Sequence, residues 1–280
     1  MLVTILNGLT YGGLLFIIAV GFSLVFGVMR VVNMSHGVMY LFGAYIGLES
    51  LLRTGNWWLA VLVAAVAVAV LALILERLIE LVTGDMPQTL LTLGITLALS
   101  DACLWIWGGL PSTLTPPSLL TGAVSFLGIK FPGFRLAILA LATLLGLGIW
   151  FLMTRTQLGR LLRAGVNDRQ MLSATGVNVG RIFSTTWILG GLLVGLAGAV
   201  GGSYISFGPG TEFSVLTLAL VVVIIGGMGS IGGSAVGALI VGLVDAFGRS
   251  YVGELSSFLL MGTLVIVLAV RPEGLFGRSE

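Results

Sequence analysis

The hydrophobic positions of this chain are gathered into long apolar blocks that short polar segments separate. A helix needs about 20 largely apolar residues to cross a bilayer, and somewhat fewer inside a bundle. Nine blocks approach that length: 5–27, 36–52, 57–75, 88–107, 135–153, 182–203, 214–226, 234–248 and 255–270. Because several blocks are short, the pattern predicts an all-α, polytopic transmembrane bundle of about eight to ten spans.

The composition excludes a soluble globule. The mean hydropathy is +1.15, and charged residues make up 9% of the chain, whereas soluble domains carry about 25%. Residues 1–280 contain no linker to a second domain, so we expect one membrane domain. The first charge is Arg30, so the first block lacks the basic start of a cleaved signal and is expected to be retained.

The basic residues predict an orientation. With the N-terminus outside, nine of the 13 basic residues face the cytoplasm and four face outward. The outward four are Arg53, Lys130, Arg135 and Arg249. Since arginine and lysine accumulate in cytoplasmic loops, we expect the N-terminus outside and the C-terminus in the cytoplasm.

Two connections are long enough to be features of their own. Residues 108–134 contain four prolines and are predicted to form an ordered but irregular external loop. Residues 154–181 carry five arginines and are predicted to be cytoplasmic. Within them, Asn167 as an N-cap and Gly176 past a C-terminus predict a helix over 168–175. That helix either docks on a partner protein or lies at the membrane interface, where its arginines only fix the topology.

Two polar or glycine-rich interruptions divide the apolar blocks. The first, "FGVMRVVNMSHG" at 26–37, holds the only histidine, His36, and two candidate N-caps, Asn33 and Ser35. The second, "GGMGSIGGSAVG", divides 214–248. Broken helices in two halves of a chain are typical of transport pathways. The first break either lets two helices meet, with His36 bonding to freed backbone groups, or contacts a substrate directly.

Catalytic and metal chemistry is not indicated. One histidine and one cysteine cannot build an ordinary metal site, and the phosphate-binding pattern G-x-x-x-x-G-K-[ST] does not occur. We therefore expect no cofactor, and ATP, if used, is bound by another polypeptide. Ion-coupled carriers place carboxylates within the membrane. The candidates here are Asp101 and Asp245, both near predicted outer helix ends, where an interfacial position is the alternative.

The chain resembles the membrane subunits of ATP-binding-cassette importers in the branched-chain amino acid permease family. The resemblance covers nearly the whole chain. It rests on "NGLTYGG" at 7–13, "FGVMRVVNMSHG" at 26–37, "GAYIG" at 43–47, "RAGVNDRQMLSATGVNVGR" at 163–181, "GGMGSIGGSAVGA" at 226–238 and "RPEGLFGR" at 271–278. One departure is Val38, where many members of the family carry an acidic or small polar residue.

The resemblance implies a bacterial-type inner-membrane importer that contains several chains. The implied partners are a second permease subunit, two ATPase subunits, a periplasmic or lipid-anchored solute-binding protein and membrane lipid, with no nucleic acid. The implied ATPase-coupling residues are Arg160, Arg163, Ala164, Asn167, Asp168, Arg169, Ala174 and Gly176. The expected residues of the translocation path and helix breaks are Asn33, Ser35, His36, Gly37, Asp101, Gly227, Gly229 and Gly233.

Three hypotheses follow for the activity. The first is a permease subunit for branched-chain or other hydrophobic amino acids, with urea, short amides or aromatic acids as alternative cargo. The second is a self-contained secondary transporter that couples ions through Asp101 or Asp245. The third is a channel in which the two broken segments form half-helices. The capped inner helix and the motifs favour the first.

Overall fold

The chain folds as a bundle of α-helices. A computed structural model describes residues 1–29, 31–126, 129–167, 172 and 176–277. The helices bounded within this part are α1 (Leu2–Met29), α2 (His36–Thr54), α3 (Trp57–Glu80), α4 (Asp85–Trp107), α5 (Gly133–Arg155), α6 (Gln157–Asn167), α7 (Val179–Gly202), α8 (Thr211–Gly226), α9 (Ile231–Tyr251) and α10 (Ser256–Val270). Short 3-10 turns lie at Ser118–Leu120 and Gly253–Leu255.

All nine predicted blocks are helical, and the all-α polytopic class is confirmed. Six helices, α1, α3, α4, α5, α7 and α9, are long and apolar enough to cross a membrane. Two others, α8 and α10, are apolar but shorter. The helix α6 was not predicted. Residues 231–238 were predicted to belong to the second break, but they form the regular start of α9.

Side-chain caps fix where three of the helices begin. Asn56 accepts hydrogen bonds from the amides of Trp58 and Leu59 at the start of α3. Asn178 caps α7 in the same way, and Ser230 caps α9 through the amide of Gly233. Such side chains satisfy amides that have no partner in the first turn of a helix.

Glycine pairs bring the helices into backbone contact. A Cβ built on Gly12 of α1 would lie 2.7 Å from the carbonyl oxygen of Ala238 on α9, and one on Gly242 would lie 2.4 Å from that of Gly8. On the other side of the bundle, Gly195 of α7 meets the carbonyl oxygen of Ala64 on α3 in the same manner. Close approach of this kind is how helices associate in lipid, where apolar attraction between them is weak.

The two ends of the bundle differ in chemistry. We call the end where α5 meets α6 the arginine-rich end, since Arg155, Arg160 and Arg163 lie there, and the other the hairpin end. At the hairpin end the Arg135 guanidinium donates to Asn7 and lies 5.4 Å from the centre of the Tyr204 ring. Burial raises the pKa of the Tyr204 phenol, and the positive charge of Arg135 partly opposes that shift.

The predicted external loop contains a small sheet. Strands β1 (Ala123–Phe126) and β2 (Ile129–Pro132) pair antiparallel, with Ala123 opposite Pro132. A further antiparallel bridge joins Ser112 to Phe207 and ties this loop to the segment between α7 and α8. The segment is therefore more regular than its prolines suggested.

Candidate translocation site

The first break lies deep in the bundle. The carbonyl oxygen of Ile18 is 3.0 Å from Nε2 of His36, the first residue of α2. At 1.5 Å per residue, Ile18 lies about 16 Å before the end of α1 along its axis. The amide of Met34 donates to Thr92 on α4, about 10 Å beyond the start of that helix. The chain between α1 and α2 therefore turns back into the bundle, and α2 begins at depth.

The turn of this break is closed by Asn33. Its Oδ1 accepts from the amide of Ser35 at 3.0 Å and from the Ser35 hydroxyl at 2.5 Å, and both residues are buried. Ser35 occupies the N-cap position of α2, but its side chain caps no amide, so its expected role is corrected to a donor to Asn33. The Asn33 amide nitrogen is buried and has no acceptor among the described residues.

His36 joins α2 to α1. Because a carbonyl oxygen only accepts, the contact with Ile18 requires a proton on Nε2, which donates. The ring meets Phe22 edge-on with centroids 5.3 Å apart, and the side chain is 1% exposed. The acceptor lies in the middle of α1 and not among backbone groups freed at the break, as was expected, so the histidine joins two helices.

Next to His36, Gly37 packs on a buried carboxylate-bearing residue. A Cβ on Gly37 would lie 2.1 Å from the carbonyl oxygen of Glu212 in the first turn of α8. The Glu212 carboxylate is 2% exposed and accepts from the Ser100 hydroxyl at 2.6 Å and from the Gly210 amide at 2.9 Å. The burial of Glu212 was not predicted, since "PGTEFS" is typical of an exposed helix start.

A second buried carboxylate was also overlooked. Glu76 of α3 is 1% exposed, and one oxygen accepts from Ser184 of α7 at 2.8 Å. Its other oxygen has no partner among the described residues. Of the two aspartates that were candidates for ion coupling or for an interfacial position, Asp101 is exposed on α4, and Asp245 pairs with Arg249 at 2.8 Å. The described contacts do not bring Asp101 to the first break.

The second break is a tight glycine turn between α8 and α9. Gly227 and Gly229 have φ values of 102° and 77°, which favour glycine. Gly233, in the first turn of α9, packs against the carbonyl oxygen of Gly226 at the end of α8. The C-terminal tail (residues 271–277) lies on this turn, where the amides of Leu275 and Phe276 each donate at 2.9 Å to the last carbonyl oxygens of α8. This contact joins residues about 50 positions apart, and no sequence pattern predicted it.

A cavity of about 1040 Å³ joins the second break to the arginine-rich end. It lies between α1, α5 and α9, and α6 and the tail line its end. Along α1 it runs from Leu9 to Gly27, a rise of about 27 Å. Gly229 and Gly232 of the second break line it, whereas Asn33, Ser35, His36 and Gly37 do not. The two breaks thus have different surroundings.

The predicted coupling segment, residues 154–181, includes α6, which the structure describes. Arg160, Arg163 and Ala164 are exposed on α6, and the guanidinium of Arg163 donates to the carbonyl oxygen of Met153. The opposite face packs through Leu162, which is buried with Leu172 and Ile182. The helix thus has one apolar face that packs on its neighbours and two exposed arginines, Arg160 and Arg163.

The remaining predicted coupling residues have mixed outcomes. Asn167, expected as an N-cap, is the last residue of α6. Asp168, Arg169 and Ala174 lie outside the described residues. Gly176 has a φ of 79°, the left-handed conformation expected after a helix C-terminus. Leu172, which lies within the predicted helix 168–175, is helical and buried.

Comparison with known proteins places this architecture in a family. Residues 4–268 match the family described as branched-chain amino acid transport system / permease component. The chain belongs to this permease family. The match includes both breaks, the cavity helices α1, α5 and α9, and α6.

Curated relatives match the permease chain over nearly its full length. The high-affinity branched-chain amino acid transport system permease protein BraD of Pseudomonas aeruginosa is 28% identical, over 99% of this chain and 95% of its own. The corresponding LivH protein of Escherichia coli is 26% identical, over 98% and 94%. A probable LivH of Methanocaldococcus jannaschii is 27% identical, over 98% and 92%. No solved structure matches the chain significantly.

Proposed function

We propose that this chain is the membrane-spanning subunit of an ATP-binding-cassette importer for branched-chain or other hydrophobic amino acids. The observation that carries the proposal is the family match over residues 4–268. The full-length relatives named for high-affinity branched-chain amino acid transport support this choice of cargo. In this proposal the chain hydrolyses nothing, and its ATP is bound by partner subunits.

The proposed partners are those of an importer of this kind. They are a second permease subunit of the same family, two ATPases and a solute-binding protein on the outer face of the inner membrane. We propose that the N-terminus is outside and the C-terminus cytoplasmic, because that choice puts the arginine-rich end in the cytoplasm. The exposed Arg160 and Arg163 on α6 then face the ATPases.

Motion of α6 could transmit a conformational change from the ATPases to the translocation pathway. Leu162 and Arg163 line the same cavity as Ser230 and Ile231 of the second break. A displacement of α6 by an ATPase therefore changes the shape of the cavity directly. In this account the switch between inward and outward openings acts at the cavity end formed by α6 and the tail, where Glu273 and Phe276 also lie.

Competition for uptake tests the cargo. The chain is expressed with its partner subunits in a host that lacks its own branched-chain amino acid uptake. Labelled leucine is expected to accumulate, and unlabelled isoleucine or valine should compete. Competition by urea, acetamide or benzoate, with none by isoleucine and valine, assigns the chain to the alternative cargo and overturns the proposal.

A further inference from the structure

The cavity is open along one side of the bundle. Leu147 and Trp150 of α5 are 63% and 53% exposed, and Leu239 of α9 is 42% exposed, although all three line the cavity. Lipid tails are as apolar as leucine side chains, so exposed apolar walls of this kind are suited to contact with acyl chains. The open side of the cavity therefore calls for an apolar cover.

Helix contacts limit how far this opening extends. A Cβ on Gly13 of α1 would lie 3.1 Å from the Cβ of Ala142 on α5, and Gly12 lies equally close to α9. At this level α1 touches both walls. From Ala142 to Met153, whose carbonyl oxygen accepts from Arg163, α5 rises by about 17 Å. We call this part of the cavity the lateral groove.

The length of the lateral groove matches one leaflet of a bilayer. The hydrocarbon core is about 30 Å thick, so one leaflet contributes about 15 Å. A spanning helix of a partner subunit needs the full thickness and would meet the contacts of Gly12 and Gly13 half-way. An acyl chain that enters from the arginine-rich end fits the open part alone.

The charged side chains that line the cavity carry one charge of each sign. Arg163 is on α6 and Glu273 is in the tail, and both are exposed. Neither forms a salt bridge with another described residue. The Arg163 guanidinium donates to Met153, two residues before the end of α5, so it lies where the apolar stretch ends. Lipid head groups are found at that level of a spanning helix.

This pair of charges matches a zwitterionic head group. A guanidinium binds phosphate oxygens, and a carboxylate accepts hydrogen bonds from a primary ammonium. Phosphatidylethanolamine carries both groups, whereas phosphatidylglycerol has no ammonium and the methylated ammonium of phosphatidylcholine has no N–H to donate. Trp150, about 5 Å before Met153 along α5, occupies the level at which tryptophan is enriched in membrane proteins.

We propose that the lateral groove binds one phosphatidylethanolamine molecule, with its phosphate on Arg163 and its ammonium on Glu273. Its acyl chain lies along Leu147 and Trp150 and ends near Ala142. The lipid covers the open side of the cavity, and its head group lies between α6 and the tail, where the proposed switch acts. The site does not depend on which cargo is transported.

Lipid titration tests the head-group site. The complete complex in detergent is titrated with dioleoyl phosphatidylethanolamine, phosphatidylcholine or phosphatidylglycerol, and bound lipids are counted by native mass spectrometry. Phosphatidylethanolamine should bind about threefold more tightly than the other two, as expected for an exposed ion pair. Glu273→Gln should abolish its preference over phosphatidylcholine. Glu80→Gln, on α3 and away from the cavity, is the control and should keep the preference.

Filling the groove tests the place of the acyl chain. Gly232 lines the cavity and Gly148 does not, and a Cβ on either would meet no atom within 4 Å. Gly232→Phe should therefore lower the number of bound phosphatidylethanolamine molecules by one for each copy of this chain. Gly148→Phe, on the exposed surface of α5, is the matched control and should leave that number unchanged.

The outcomes distinguish the possible occupants. Tightest binding of phosphatidylglycerol, unchanged by Glu273→Gln, would mean that the arginines attract any anionic lipid, and the paired-charge site would be wrong. Equal numbers of bound lipids in Gly232→Phe and Gly148→Phe would mean that a partner subunit, not lipid, covers the groove. If Gly232→Phe does not assemble, the comparison of Glu273→Gln with Glu80→Gln decides.

Discussion

His36 is a buried histidine whose task is set by one backbone oxygen. Its Nε2 donates to the carbonyl oxygen of Ile18 in the middle of α1. A buried donor that loses its acceptor lowers the stability of the fold. The hydrogen bond therefore holds the start of α2 at the level of Ile18 on α1. The residue is therefore better explained as a joint between two helices than as a reacting group.

Removal of His36 should weaken the bundle. We expect His36→Ala to lower the free energy of unfolding by roughly 2–4 kcal/mol, through a cavity and a lost hydrogen bond. His36→Gln keeps a donor and should lose clearly less. Thermal unfolding in detergent measures both. An alanine variant that is as stable as the wild type, assembles with its partners and loses transport would point to direct substrate contact.

Gly37 offers a sharper steric test at the next position. Gly37→Ala forces a Cβ to within 2.1 Å of the Glu212 carbonyl oxygen, so α2 and α8 must move apart. The expected loss is about 1–3 kcal/mol, as for other overpacked sites. Gly94→Ala is the control, because a Cβ there meets no atom within 4 Å. Equal unfolding temperatures for the two variants would contradict the packing of the break.

At the scale of elements, α6 carries the proposed contact with the ATPases. Arg160→Glu should weaken co-purification with those subunits by about tenfold, because a reversed charge turns attraction into repulsion. Arg160→Lys should have little effect. Lys130→Glu, on the exposed hairpin of the other end, is the control for a general effect of charge reversal. Equal loss in Arg160→Glu and Lys130→Glu would mean that α6 is not the docking element.

The elements also show why sequence patterns predicted some features and not others. The nine helices could be predicted from sequence because an apolar block of spanning length has few backbone conformations open to it in lipid other than a helix. Helix α6 was missed because its apolar residues, such as Leu162, are spaced among arginines and resemble a loop by average hydropathy. The bridge between Ser112 and Phe207 and the docking of the tail on α8 depend on partners distant in sequence, which no local pattern reports.

The same limit applied to the candidate site. Asn33 and His36 stood out because polar residues are rare in this chain, and both are buried in the break. Glu212 and Glu76 lie near the ends of apolar blocks, where an acidic residue is ordinarily solvated, so nothing indicated their burial. The cavity arises from the arrangement of α1, α5 and α9, which spacing along the chain does not encode.

At the scale of the whole molecule, the arginine-rich end should face the cytoplasm. In a Cys103→Ala background, Gly122→Cys lies at the hairpin end and Gln157→Cys begins α6, and both positions are exposed. A membrane-impermeant thiol reagent should label Gly122→Cys in intact cells and Gln157→Cys only after permeabilisation. The reverse pattern would overturn the orientation and place α6 on the wrong side for an ATPase.

The central claim is that this chain moves hydrophobic amino acids only when separate ATPases drive it. The most direct measurement is uptake of labelled leucine into proteoliposomes that contain the complete complex with its solute-binding protein. The account predicts uptake that requires ATP, stops with a hydrolysis-deficient ATPase and is absent for the chain alone under a proton or sodium gradient. Robust uptake by the chain alone under such a gradient would contradict it and would direct attention to the buried carboxylates of Glu76 and Glu212.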